Sequence, residues 1–133
     1  MNKNELLKLV DSLNMPKTEY YILSSGSLLL YGLREKAGDL DLCVSNELFD
    51  ELKIKFNLRQ PNECGFYQIS KDIEIIPSNK DDFKMTIKDN YPVEDLKTIL
   101  KFKQGRNTPK DQKDIENIIK YLENNKKICF YVL

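Results

Sequence analysis

Asp39 and Asp41 are separated by a single leucine, and Leu40, Leu42 and Val44 alternate with them. In an extended strand, that period of two sends both carboxylates to one face and the aliphatic side chains to the other. Two like charges side by side on a strand repel and gain nothing from packing. A divalent cation makes such a pair useful because it neutralises both charges at once, and hard oxygen ligands select Mg²⁺ or Mn²⁺. Asp72 and Glu74 repeat the pattern, with Ile73 and Ile75 as apolar partners. If the two strands are neighbours, a third carboxylate joins the cation site. Three carboxylates can hold two ions roughly 3.5–4 Å apart, which clamps the attacking and leaving oxygens in phosphoryl transfer. Upstream lies Ser24-Ser25-Gly26-Ser27. Gly26 permits close backbone approach, and the Ser27 hydroxyl together with helix-start amides can hold phosphate oxygens. A phosphate cradle followed by a carboxylate strand is the minimum equipment for handling a metal–nucleoside triphosphate.

Each feature alone also has a plainer explanation. An exposed hairpin edge accounts for an Asp-Leu-Asp triplet, and Gly26-Ser27 on its own is a turn. Lys97, Lys101, Lys103, Arg106, Lys110 and Lys113 form a basic stretch that a solvated helical face explains for most of its members. Arg34 reads equally as a surface cation. Tyr20, Tyr21, Phe66 and Tyr67 read as core and sheet residues, and the three cysteines, Cys43, Cys64 and Cys129, as buried small apolar residues.

The elements that must position these groups follow from hydrophobic periodicity. Leu6, Leu7, Val10 and Leu13 predict a helix over 5–13, which Pro16 breaks. Residues 20–23 predict a short buried strand, 28–33 a helix and 39–44 the carboxylate strand. Ser45 or Asn46 caps a helix over 47–56. Residues 65–69 and 72–76 predict two strands joined by a tight turn at Ser70-Lys71. Residues 83–90 are ambiguous. Pro92 suits the first position of a helix running to Gln104, with Gly105 as its C-cap. Thr108-Pro109 opens a last helix reaching Asn124, and 128–133 reads as an edge strand or a docking tail. The expectation is one α/β (α+β) domain over 1–133, a mixed sheet with flanking helices, its core at 20–80 and a C-terminal helix pair at 92–125.

Composition narrows the chemistry. The 133 residues include 21 Lys plus Arg against 21 Asp plus Glu, and no His. A zero balance argues against a long nucleic acid as ligand, since broad polyanion binding draws on a basic surplus. Without His there is no Ser-His or Cys-His catalysis and no His-ligated zinc. Three widely spaced cysteines with no CxxC pair suggest reduced thiols. The N-terminal residues show no signal-peptide core, and the longest apolar run, Leu28 to Tyr31, is too short for a bilayer. A cytoplasmic chain with no membrane association is expected.

Gly26-Ser27, eleven intervening residues, then Asp39-Leu40-Asp41-Leu42 resembles the signature of the nucleotidyltransferase superfamily, the polymerase-beta-like fold. Ile73-Glu74-Ile75, with Pro77 just beyond, is similar to the third acidic position of that family. Tyr31-Gly32-Leu33-Arg34 resembles small bacterial members, as does Lys103-Gln104-Gly105-Arg106 followed by Lys110-Asp111 and Asp114-Ile115. The resemblance implies that Asp39, Asp41 and Glu74 bind Mg²⁺ or Mn²⁺ and catalyse. It further implies that Gly26 and Ser27, with Lys103 and Arg106, bind a nucleoside triphosphate. The implied reaction moves a nucleoside monophosphate to an acceptor hydroxyl on a small molecule, protein or RNA end. The family's third acid is usually Asp; Glu74 is one methylene longer, and Asp72 is the neighbour able to share the role. Glu35, Asp72 and Asp111 are equal candidates for the general base. The alternative is a catalytically silent nucleotide- or partner-binding protein, as in a toxin–antitoxin pair. The short chain also suggests a homodimer or protein partner to complete the acceptor pocket.

Overall fold

The structure, a computed structural model, describes residues 1–132, with side chains described through Asn125. The backbone divides into two compact units, Met1–Asp95 and the remainder from Leu96.

The first unit is an α+β arrangement built on a six-stranded mixed sheet. Helix α1 (Lys3–Ser12) is opened by a capping box in which the Asn2 side chain accepts from the Glu5 amide and Glu5 returns the bond. Strand β1 (Tyr20–Ile22) leads into helix α2 (Ser24–Leu30), then β2 (Leu40–Ser45) and α3 (Asn46–Lys55). The expected Ser45 cap is present, its hydroxyl accepting from the Leu48 amide. Strands β3 (Tyr67–Ser70) and β4 (Ile73–Ser78) form the anticipated hairpin, with a register shift between Gln68 and Ser70.

Strands β5 (Met85–Lys88) and β6 (Tyr91–Glu94) complete the sheet in the order β3-β4-β2-β1-β6-β5. The expected helix start at Pro92 is therefore wrong, because Pro92 lies inside β6. Asp89 and Asn90 both adopt positive φ, at 52° and 70°. That is the requirement of a two-residue type I′ turn, which folds Tyr91 back onto Lys88. Proline is tolerated because it sits near the start of a short strand.

Alternation along the strands sorts the sheet into two faces. Tyr20, Ile22, Leu40, Leu42, Val44, Ile73, Ile75 and Val93 are buried in one hydrophobic cluster with Leu6 and Val10 of α1, Leu29 and Leu30 of α2, and Leu48 and Leu52 of α3. Burial of each large aliphatic side chain contributes roughly 1.5–3 kcal/mol. The intervening residues Tyr21, Asp41, Cys43 and Glu74 consequently belong to the opposite face.

The second unit consists of α4 (Leu96–Arg106), a single 3₁₀ turn at Pro109–Asp111 and α5 (Gln112–Val132). Helix α4 begins four residues later than expected and passes through Gly105, which is not its cap. Asn107 takes the left-handed position instead, at φ 49°, and its amide donates to the Lys103 carbonyl. The backbone of α5 continues beyond Asn124 through 128–132, where an edge strand had been one expectation; Leu133 lies outside the described residues. Of the cysteines expected to be buried, Cys43 is buried and Cys64 is exposed; the side chain of Cys129 lies outside the described ones. Among the described residues, no helix is long and apolar enough to cross a membrane.

Candidate functional site

Strands β2 and β4 run parallel and adjacent, with Leu40 opposite Ile73, Asp41 opposite Glu74 and Leu42 opposite Ile75. Because the flanking aliphatic pairs face the core, the register fixes Asp41 and Glu74 as direct neighbours on the other face. Asp39 falls just outside this ladder. The strand begins at Leu40, whose amide donates to the Asp72 carbonyl, and Asp39 is solvent-exposed. The two aspartates therefore occupy different environments, one exposed and one half-buried.

Asp41 bears the electrostatic load of the site. Its Oδ1 is buried and has no hydrogen-bond partner among the described residues. Burial first, then the charges of Glu74 and Asp39, push its carboxyl from near 3.8 up to about 6. A buried carboxylate oxygen without a partner, beside a second carboxylate, is a hard-oxygen donor set that suits Mg²⁺ or Mn²⁺. Among the described residues no three His, Cys, Asp or Glu side chains are gathered closely enough to hold an ion between them. The donors brought together are thus a pair, Asp41 and Glu74, with Asp39 close enough to raise Asp41 but outside such a cluster. Mg²⁺ commonly takes one or two carboxylates and fills its shell with water and phosphate oxygens.

The Gly26-Ser27 pair lies within α2, not in the turn before it. The hydroxyl of Ser27 is buried and donates to the Glu94 carbonyl at 2.7 Å. Gly26 is buried as well; a Cβ there would stand 2.5 Å from Ile22 Cγ2 and 3.2 Å from Leu6 Cδ1. Both residues are committed to packing, so they shape the β1–α2 junction from within. The more accessible groups there are Ser25 and the exposed Arg34, whose guanidinium donates to Ser25 Oγ at 2.9 Å.

Lys103 and Arg106 belong to the C-terminal unit. Lys103 is only 4% exposed, and its ammonium pairs with Asp114 at 3.1 Å and Asp111 at 3.5 Å. Arg106 donates to both Asp111 oxygens, and Thr108 caps the same carboxylate. The Arg106 and Thr108 hydrogen bonds hold the Asp111 carboxyl far below the usual carboxylate range. This network satisfies the charge of Lys103 and removes Asp111 from the general-base candidates. Of the other two, Glu35 is exposed and Asp72 is half-buried next to the β2 ladder.

One residue of the site escaped the sequence reading. Glu94, assigned there to a helix, ends β6, and its Oε1 accepts the Ser24 amide at 2.9 Å. The Asp89-Asn90 turn was the signal that could have placed it on a strand. No family model and no curated protein matches the chain.

Proposed function

We propose that this chain transfers a nucleoside monophosphate from a nucleoside triphosphate to an acceptor hydroxyl, using Mg²⁺ or Mn²⁺. The observation that carries the proposal is the Asp41–Glu74 pair, opposed on parallel strands, with one buried Asp41 oxygen lacking any described partner. Folding places a charge there at a cost, and a divalent cation is the ligand that removes the cost. The resemblance of Gly26-Ser27 and Asp39-Leu40-Asp41 to the nucleotidyltransferase signature gives the pair its reaction.

In this reading Asp41 and Glu74 would hold the cation, with exposed Asp39 as the carboxylate beside them. Held there, a divalent cation would supply charge neutralisation at the phosphates. Gly26 and Ser27 act as the rigid floor of the β1–α2 junction, leaving phosphate contacts to Ser25 and Arg34. The acceptor oxygen bonds to the α-phosphorus, the bond to the pyrophosphate oxygen breaks, and the hydroxyl proton passes to a base or to water. Lys103 and Arg106, expected to bind nucleotide, are here given a packing role in their own unit.

The test is incubation with each labelled nucleoside triphosphate, Mg²⁺ or Mn²⁺, and a panel of hydroxylated acceptors. Pyrophosphate release should fall at least about a hundredfold in Asp41→Ala, the scale of losing a principal charge-stabilising group. Release that survives Asp41→Ala sinks the catalytic reading. Nucleotide binding without release would replace it with the silent-binder reading.

A further inference from the structure

We infer that Glu94 is the positioning residue of the proposed nucleotide site, holding the β1–α2 junction in place through the Ser24 amide. The inference rests on the nucleotidyl-transfer reading for its functional consequence, but its structural core stands on contacts of its own.

Strand β6 runs parallel to β1, with Val93 opposite Ile22. Val93 is fully buried in the core cluster, so Glu94, the next residue, belongs to the face of Tyr21, Asp41 and Cys43. Its charge is among the influences that raise the Tyr21 hydroxyl and the Cys43 thiol, after burial, which is the first cause for both. The junction between β1 and α2 is then held from both sides. On one side, the Leu23 amide donates to the Asp41 carbonyl at 2.9 Å. On the other, the Ser24 amide donates to Glu94 Oε1 at 2.9 Å, and the Ser27 hydroxyl to the Glu94 carbonyl at 2.7 Å.

Ser24 needs such a hold. Its φ is 37°, in the left-handed region that a residue with a Cβ disfavours. A residue other than Gly, Asn or Asp stays there only where its surroundings over-determine it. Glu94 supplies that determination, and it does so from the strand next to the one that leads into the junction. Asp41 and Glu94 therefore flank the same two residues, so the carboxylate strand and the junction cannot drift independently. A site that must hold a phosphate chain and a cation in register requires this kind of support.

Two substitutions separate reach from charge. Glu94→Gln loses the charge but keeps the length and an accepting oxygen; Glu94→Asp keeps the charge but is one methylene short. Amide hydrogen exchange at Ser24 reads the contact directly, and calorimetric titration with Mg²⁺–ATP and the other Mg²⁺–nucleoside triphosphates reads its consequence. In Glu94→Asp, Ser24 exchange should accelerate about tenfold or more, and nucleotide affinity should fall about tenfold, the scale of losing one hydrogen bond. Glu94→Gln should keep Ser24 protection and bind nucleotide no more weakly than wild type. Ser24 protection that persists in Glu94→Asp overturns the positioning role; protection lost in both variants keeps that role and adds that the carboxylate charge is part of the hold. If the wild-type chain binds no nucleoside triphosphate, the nucleotidyl-transfer reading fails, and the Ser24 exchange comparison still decides whether Glu94 holds the junction.

Discussion

At the scale of single residues, Gly26 shows how a motif can be both a signature and a packing constraint. A glycine beside a serine upstream of paired acids invites the idea of a backbone opened toward phosphate. In the fold Gly26 faces inward, where a Cβ would meet Ile22 Cγ2 at 2.5 Å. Ile22 cannot rotate out of the way easily, since it is β-branched and fully buried. Gly26→Ala should therefore destabilise the chain by about 1–3 kcal/mol through overpacking. Urea denaturation measures this, and the double variant with Ile22→Ala supplies the control. Removing Cγ2 relieves the contact, so the two substitutions together should cost less than their sum. Strict additivity, or a neutral Gly26→Ala, would show that the close approach does not set the residue. Ser27 makes a parallel point: its hydroxyl is occupied by a backbone carbonyl, so its contribution to any ligand is to hold the junction.

At the scale of elements, the β5–β6 hairpin depends on two residues that must both be left-handed. Asn90, at φ 70°, is tolerated there because a short polar side chain visits this region readily. Asn90→Val should destabilise by about 1–2 kcal/mol, while Asn90→Gly should leave stability unchanged or raise it. Thermal unfolding of both variants checks the turn, and equal melting temperatures would count against it. The same hairpin explains what could be read from the sequence and what could not. Strands β1 to β4 announced themselves, because Tyr20-Tyr21-Ile22, Leu40 to Val44 and Ile73 to Ile76 carry dense apolar or alternating patterns between clear breaks. Adjacency of Asp41 and Glu74 was conditional on strand pairing, which no local pattern states. Strands β5 and β6 carry few buried residues, and Pro92 mimicked a helix start more strongly than Asp89-Asn90 advertised a turn. That one misreading hid Glu94. The burial of Lys103 was hidden for a different reason: its partners Asp111 and Asp114 follow a turn, and helical periodicity alone does not bring them to it.

At the scale of the whole molecule, a formal charge of zero conceals two carboxylates with opposed effects on stability. Asp41 in the folded chain holds its proton up to about pH 6, whereas the unfolded chain releases it near 3.8. Between these values the unfolded state binds fewer protons, so rising pH removes stability, by up to about 3 kcal/mol for a two-unit difference and less for a half-buried group. Asp111 acts in the other direction. Held low by Arg106 and Thr108, it contributes stability that is complete above the ordinary carboxylate range and is lost as pH falls through and below it. Through these two groups the metal-free chain should be most stable near pH 4 and lose stability from there to about pH 6. Asp41→Asn removes only the first effect. Its melting temperature should exceed that of wild type at pH 7 and converge with it near pH 4. Mg²⁺ or Mn²⁺ should raise the wild-type melting temperature at pH 7 by binding the folded state alone, and should do little for Asp41→Asn. Parallel pH profiles for the two proteins would show that Asp41 carries no stored cost. Convergence at neutral pH on adding cation would show that the same carboxylate that weakens the empty fold is the one the ion relieves.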